Sequence, residues 1–275
     1  MKWLAVLLLG LSACAASKPR PELDSDFGAR PIASSHEIPF IPQTPKLCGP
    51  TALRMAMNRY RPELSLEEIS TALMSPKAKG TFKQDLLAGA RRFGLATYEV
   101  PTVYEMIDHL AEGTPVILFH NAGFFWKEYW HYSVMTGYDL RERNFYLHIG
   151  ERESFPMKME KVLESWDQGG NWAYVVVSPN RIPKFGTLEE ALDNALVFLR
   201  IGLVDPARAL GQQIAARWPD AYQADVILAD AFLKLNRRAL AYKHLKEAAR
   251  KNPANQILKQ KVRDLRNASL GRPAP

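Results

Sequence analysis

Residues 41 to 55 read Ile41-Pro42-Gln43-Thr44-Pro45-Lys46-Leu47-Cys48-Gly49-Pro50-Thr51-Ala52-Leu53-Arg54-Met55. This stretch places Cys48 where a proline-rich extended segment gives way to a predicted helix, with Gln43 five residues upstream. A helix N-terminus stabilises an anion, so we expect the pKa of the Cys48 thiol to fall and its thiolate to act as a nucleophile. The amide of Gln43 is then placed to donate a hydrogen bond to an oxyanion, together with the backbone N–H of Cys48.

A cysteine nucleophile needs a base, and His131 is the best placed of the six histidines. It precedes an apolar run, Tyr132 to Tyr138, so we expect it at a strand end that faces a cleft. His120 and His148 are competitors in the same region. The other three lie in a predicted tether, a predicted helix and the C-terminal third: His36, His109 and His244. Considered without the other, Cys48 or His131 could each be a buried structural residue.

In residues 38–178, apolar residues recur with the period of a helix in some segments and with the pattern of a strand in others. The predicted helices are 51–60, one opened by the capping box of Ser65 and Glu68, 82–93 and 104–110. The predicted strands are 115–119, 132–138, 144–149 and 172–177. Helices first, followed by mostly antiparallel strands, indicate an α+β fold class.

Residues 187–267 form a predicted all-α module that repeats itself every 34 residues. The matching pairs are Ala195 and Ala229, Phe198 and Phe232, Leu199 and Leu233, Ala207 and Ala241, and Pro219 and Pro253. This period resembles the tetratricopeptide repeat, and it predicts two repeats followed by a capping helix. Such a module binds a protein partner or packs against the preceding domain, and the sequence leaves both open.

The motifs of the first domain resemble those of the papain-like family of bacteriocin-processing, double-glycine-leader peptidases. The resemblance covers about 38–177 and depends mainly on Gln43, on Cys48-Gly49-Pro50 and on Trp130-His131-Tyr132. It implies a papain-like fold and a peptide or protein substrate. It also implies Cys48 as the nucleophile, His131 as the general base and acid, and Gln43 as the oxyanion donor, with no metal and no cofactor.

The partner that orients His131 is where the sequence departs from this family. The family ends the next strand in an Asp-Pro, which is absent from residues 145–151, and Asp139 is too far along the chain at about 3.3 Å per residue. His148 and Glu151 on the returning strand, or Asn121 in the preceding loop, could reach the ring instead. We predict His148 as the orienting residue, ahead of Glu151.

The N-terminus resembles a bacterial lipoprotein signal peptide, residues 1–14, that ends in the lipobox Leu11-Ser12-Ala13-Cys14. In that interpretation Cys14 is lipidated and anchors the protein to a membrane, and residues 15–37 are a flexible tether. Ala15 at the next position resembles the pattern of outer-membrane lipoproteins that face the periplasm. The alternative is an ordinary signal peptide cleaved near Ala13 or Ala16.

The formal net charge of +7 is scattered without a dense basic tract, which argues against nucleic-acid binding. Taken together, the motifs around Cys48 and His131 and the N-terminal segment predict a cysteine peptidase of the bacterial cell envelope that works through a thioester acyl-enzyme. The rival prediction is a catalytically weak papain-like domain that serves as a binding scaffold through its helical repeats. Transamidation, or hydrolysis of a non-peptide amide, would use the same residues.

Overall fold

The computed structural model describes residues 31–34, 38–44, 46–73, 80–123 and 127–269. Within these ranges, seven strands form one antiparallel sheet in the order β2-β7-β3-β4-β5-β6, with β1 paired to β4 outside this path. The strands are β1 (Ile32–Ser34), β2 (Ala96–Glu99), β3 (Val116–Asn121), β4 (Trp130–Asp139), β5 (Asn144–Ile149), β6 (Arg152–Lys158) and β7 (Ala173–Val177).

Ten helices lie in the same described ranges, five before the last strand and five after it. The first five are α1 (Cys48–Met57), α2 (Leu66–Leu73), α3 (Lys83–Arg92), α4 (Val103–Ala111) and α5 (Met159–Gln168). The last five are α6 (Leu188–Arg200), α7 (Val204–Arg217), α8 (Tyr222–Lys234), α9 (Arg238–Lys251) and α10 (Gln256–Ser269). None of these described helices is long and apolar enough to cross a bilayer.

Helices cover both faces of the sheet. On one face, α1, α2 and α3 bury side chains such as Leu53, Ile69 and Leu86 against Ile117 and Val134 of the central strands. On the other face, α4 and α5 pack on the alternate residues of the same strands. This division follows from the period of two along a strand, which sends neighbouring side chains to opposite faces. The helix that carries Cys48 is thereby held against β4, the strand that carries His131.

The C-terminal helices share the second of these cores. Ala195 and Phe198 of α6 and Ala231 of α8 belong to the same buried cluster as Tyr98 and Val175 of the sheet. The helix pair α8 and α9 begins 34 residues after the pair α6 and α7, at both helices. The helical period is therefore confirmed, while the assignment to the tetratricopeptide class stays a prediction.

The predicted helices and strands of the first domain are all present, with shifts of a few residues at their ends. The capping box is confirmed, because the N–H of Ser65 donates to a Glu68 carboxylate oxygen at 2.8 Å and the N–H of Glu68 donates to Ser65 Oγ at 3.2 Å. Four elements lacked a prediction: β1, β2, β6 and α5. Strand β1 lies inside the segment that the sequence assigned to a tether; the remainder of that segment up to residue 30, and Cys14, lie outside the described residues.

Candidate active site

Cys48 is the first residue of α1 and is half-buried. Pro50 is tolerated in the first turn because a backbone N–H there has no partner within the helix. Gly49 is required by close packing, since a Cβ at this position would lie 2.7 Å from Cβ of Thr81. The carbonyl of Thr81 accepts a hydrogen bond from the Tyr132 hydroxyl at 3.2 Å, so the start of α1, the loop before α3 and β4 meet at one point.

The pKa of the Cys48 thiol is raised, mainly by burial. The backbone amides of Tyr132, Gly49 and Cys48 itself act in the opposite direction, but they do not outweigh the desolvation. The expected fall of this pKa at a helix N-terminus is therefore wrong in direction. The physical reason is that closure of the site removes more solvation from the thiolate than the amides of the helix terminus restore.

His131 is the second residue of β4 and is buried, 2% exposed. Its Nε2 lies 2.9 Å from Oε1 of Gln43, and its Nδ1 is buried with no hydrogen-bond partner among the described residues. The ring of Tyr129 stacks on the imidazole, with the two centroids 5.4 Å apart. Burial lowers the pKa of His131 to about 4, so the imidazole is neutral at neutral pH.

Gln43 is also buried, 6% exposed, and its amide lies between α1, β4 and the end of β5. Its Nε2 donates to the carbonyl of Cys48 at 3.1 Å and to the carbonyl of Tyr132 at 2.9 Å. Its Oε1 accepts from the N–H of Gly150 at 2.9 Å as well as from His131. Both amide hydrogens are thus already donated to backbone carbonyls, and donation to an oxyanion would require one of these bonds to break.

The structure does not bring His148 to His131. His148 lies opposite Val134 in the β4–β5 pair, and its ring contacts Phe40 edge-on at 5.3 Å between centroids. Its Nδ1 accepts from the N–H of Ser154 at 3.1 Å, and its Nε2 donates to the carbonyl of Ile38 at 3.3 Å. His148 thereby holds the segment that leads to Gln43.

The two alternative partners are also placed elsewhere. Glu151 is exposed in the two-residue turn between β5 and β6. Asn121 supports the loop before β4, since its Oδ1 accepts from the N–H groups of Gly123 and Tyr129, both at 3.0 Å, and its Nδ2 donates to Gln168 at 2.9 Å. Aromatic residues of the loop before His131 are candidates to line a substrate cleft; those at 124–126 lie outside the described residues, whereas Trp130 is 41% exposed and stacks on Phe119.

A second buried histidine, His120, lies opposite His131 in the β3–β4 pair. Its Nε2 is 2.8 Å from Oγ of Ser133 and its Nδ1 is 3.1 Å from Oγ of Ser165. Burial lowers the pKa of His120 to about 3. The sequence indicates His120 only as a competitor of His131 for the role of base, because no local pattern predicts its contacts with these two serines.

No group of three or more His, Cys, Asp or Glu side chains in the described ranges is arranged to hold a metal ion. Cys48 brings a thiol to this site and His131 brings an imidazole. Both are on rigid elements, and Gln43 contacts the residues of both.

Several solved structures are similar to part of this chain. A protein assigned as a C39-like peptidase from Bacillus anthracis is 16% identical, with alignment over 54% of this chain and 98% of its own and a TM-score of 0.45. The peptidase domain of ComA from Streptococcus, a bi-functional ABC transporter involved in quorum sensing, is 19% identical over 51% of this chain and 98% of its own, with a TM-score of 0.43.

A third solved structure is a double glycine motif protease from an AMS/PCAT transporter in complex with the leader peptide. It is 22% identical over 53% of this chain and 94% of its own, with a TM-score of 0.40. No curated protein matches the sequence. The sequence profile of the Peptidase_C39 like family matches residues 35–174, about half of the chain, which include the strands β2 to β6 and the first five helices. The chain therefore belongs to the Peptidase_C39 like family.

Proposed function

We propose that the protein is a cysteine peptidase in which Cys48 is the nucleophile and His131 is the general base and acid. The observation that carries this proposal is the contact set of one side chain, Gln43. Its Nε2 donates to the carbonyl of Cys48 and its Oε1 accepts from the ring of His131. One side chain thus contacts both the backbone of Cys48 and the ring of His131, at the place where β4 meets the start of α1.

The proposed reaction begins from a neutral pair, because burial raises the pKa of the thiol and lowers that of the imidazole. His131 takes the thiol proton as the sulfur attacks the substrate carbonyl, and then returns it to the leaving amine. A thioester to Cys48 results, and water activated by His131 hydrolyses it. Backbone N–H groups of Cys48 and Gly49, which begin α1, support the negative oxygen of the tetrahedral intermediate.

Reaction with an epoxide probe for thiol peptidases, followed by peptide mapping, tests this proposal. Wild-type protein should carry the probe on Cys48, and Cys48→Ala or His131→Ala should abolish the modification while both variants unfold like the wild type. His244→Gln on α9 is the matched control and should react normally. A folded protein whose Cys48 stays unmodified would favour the rival function, a binding scaffold.

The pH dependence of alkylation is a second test of the same site. Since burial raises the pKa of the Cys48 thiol, the rate with iodoacetamide should have its midpoint above that of free cysteine. A plateau already reached below pH 7 would show that a thiolate–imidazolium pair exists before substrate binds, and would contradict the neutral pair.

We also propose that the peptidase acts at the bacterial cell envelope, attached by lipid on Cys14. Support comes from the sequence alone, in the segment Leu11-Ser12-Ala13-Cys14. Cys14→Ser should move the protein from the membrane fraction to the soluble envelope fraction and leave the reactivity of Cys48 unchanged. Intact-mass analysis that shows no lipid on the wild-type protein would contradict this proposal.

A further inference from the structure

The orientation of the Gln43 amide is fixed by groups other than His131. Two backbone carbonyls, those of Cys48 and Tyr132, lie within 3.1 Å of one end of the amide and can only accept hydrogen bonds. The N–H of Gly150 lies 2.9 Å from the other end and can only donate. A flipped amide would oppose an oxygen to both carbonyls and an NH₂ to the Gly150 N–H, so Oε1 must face Gly150 and His131.

This orientation decides which nitrogen of His131 carries the proton. Gln43 Oε1 can only accept, so Nε2 of His131, 2.9 Å away, must be the protonated nitrogen. In the neutral ring the lone pair is then on Nδ1. That atom is buried without a hydrogen-bond partner among the described residues. The stacked ring of Tyr129 opposes a rotation that would exchange the two nitrogens.

We propose that Gln43 is a positioning residue, which fixes the Nε2–H tautomer of His131 and so makes Nδ1 the base, instead of donating to the oxyanion. The use of that base depends on the proposed peptidase function, but the tautomer itself does not.

The residue that contacts Nε2 of His131 carries no charge. An amide oxygen orients the ring without the negative charge that a carboxylate would bring, so it does not stabilise the imidazolium. This agrees with the low pKa of His131, about 4. A second hydrogen-bond pair holds Gln43 in place, since its own N–H donates to the carbonyl of Gly150 at 2.9 Å.

Nitrogen-15 NMR of the histidine rings tests the tautomer directly at neutral pH, with His131→Gln used to assign the signals. In wild-type protein, Nε2 of His131 should be protonated and Nδ1 should not. Gln43→Ala should give a mixture of tautomers, because the amide oxygen that accepts from Nε2 is then absent. Gln212→Ala removes an exposed amide from α7 and should change nothing.

Amide turnover on a fluorogenic peptide that the wild type cleaves separates this role from that of an oxyanion donor. Gln43→Ala should lower kcat by on the order of 10²- to 10⁴-fold, with the loss accompanied by the change of tautomer. A wild-type ring protonated on Nδ1 would overturn the proposal. So would a Gln43→Ala protein that loses turnover with its tautomer unchanged, since that is the behaviour of an oxyanion donor. If the wild-type protein cleaves nothing, the peptidase function fails, and the NMR result still decides the tautomer.

Discussion

Two buried amides, Gln43 and Asn194, connect separate parts of this molecule by similar contacts. Asn194 on α6 is fully buried; its Oδ1 accepts from the N–H of Thr97 at 3.0 Å and from Arg91 Nε at 2.9 Å. Its Nδ2 donates to the carbonyls of Thr97 at 2.9 Å and Glu190 at 2.8 Å. It thus satisfies the free edge of β2 and joins the helical module to the sheet, as Gln43 joins α1 to β4.

The two amides differ in what they hold. The partners of Asn194 are backbone groups, the hydroxyl of Thr97 and the guanidinium of Arg91, so we expect its contacts to contribute to stability. One partner of Gln43 is the imidazole of His131, which exchanges a proton in the proposed mechanism. The same hydrogen-bonding capacity therefore joins two structural elements at Asn194, whereas at Gln43 we propose that it also orients the base.

A fall in pH should have the largest effect on the free energy of unfolding. It should act mainly on the part of the sheet near Gln43, where His120 and His131 lie. Burial lowers the folded-state pKa of His120 and His109 to about 3 and of His131 to about 4, whereas an unfolded histidine titrates near 6.5. The unfolded chain binds more protons below pH 6.5, so stability is full above that pH and falls as the pH drops toward 4. At pH 5 the loss is about 2 kcal/mol for each such histidine.

Denaturant unfolding at pH 7.5, 6 and 5 measures this loss, and hydrogen exchange locates it. We expect β3 and β4, which carry His120 and His131, to lose amide protection before β2, with His109 adding to the global loss. Equal stability at pH 7.5 and pH 5 would contradict the burial of these rings.

Asn194→Ala should have the next largest effect, on stability alone. Both backbone groups of Thr97 would lose their partner in a buried place, which costs about 3 kcal/mol in free energy of unfolding. Urea unfolding measures the change, and Asn180→Ala, at an exposed asparagine between β7 and α6, is the matched control. A strong fall in the alkylation rate of Cys48 in folded Asn194→Ala protein would erase the distinction between the two amides.

Thr187→Ala should have the smallest effect. Thr187 caps α6 from an exposed position, where its Oγ1 accepts from the N–H of Glu190 at 3.2 Å. Loss of an exposed cap costs about 1 kcal/mol, because water replaces the lost hydrogen bond. Thermal melts of this variant and of Asn194→Ala, which lies on the same helix, compare an exposed polar contact with a buried one. Equal losses would mean that burial does not strengthen the Asn194 contacts.

Local patterns predicted much of the fold, because the apolar periodicity and the capping residues of helices and long strands lie within a few consecutive residues. Such patterns predicted the helix start near Cys48, the capping box at Ser65 and the strand after His131. Strand β2 was missed because it has only four residues, and β6 because its exposed edge carries charges at irregular positions.

The partner of His131 could not be read from the sequence, because it depends on strand register. A two-residue turn, with φ of +58° at Gly150, ends β5 at Ile149, before that strand comes level with His131. Gln43, from more than eighty residues upstream of His131, fills the place beside the ring. The pKa of Cys48 was missed for a related reason, since desolvation is a property of the packed site and the helix terminus is a local one.

The edge position of β2 has a consequence for proteolysis in the cell. The N–H and C=O of Thr97 and the N–H of Glu99 point away from β7, and they are bonded by Asn194 and Glu190 of α6. A cut in the segment 179–186 that freed α6 would leave these groups open to pair with the same strand of another copy. Nicked protein should therefore self-associate through β2 while the surroundings of Cys48 remain intact, and loss of soluble protein would precede any change at Cys48.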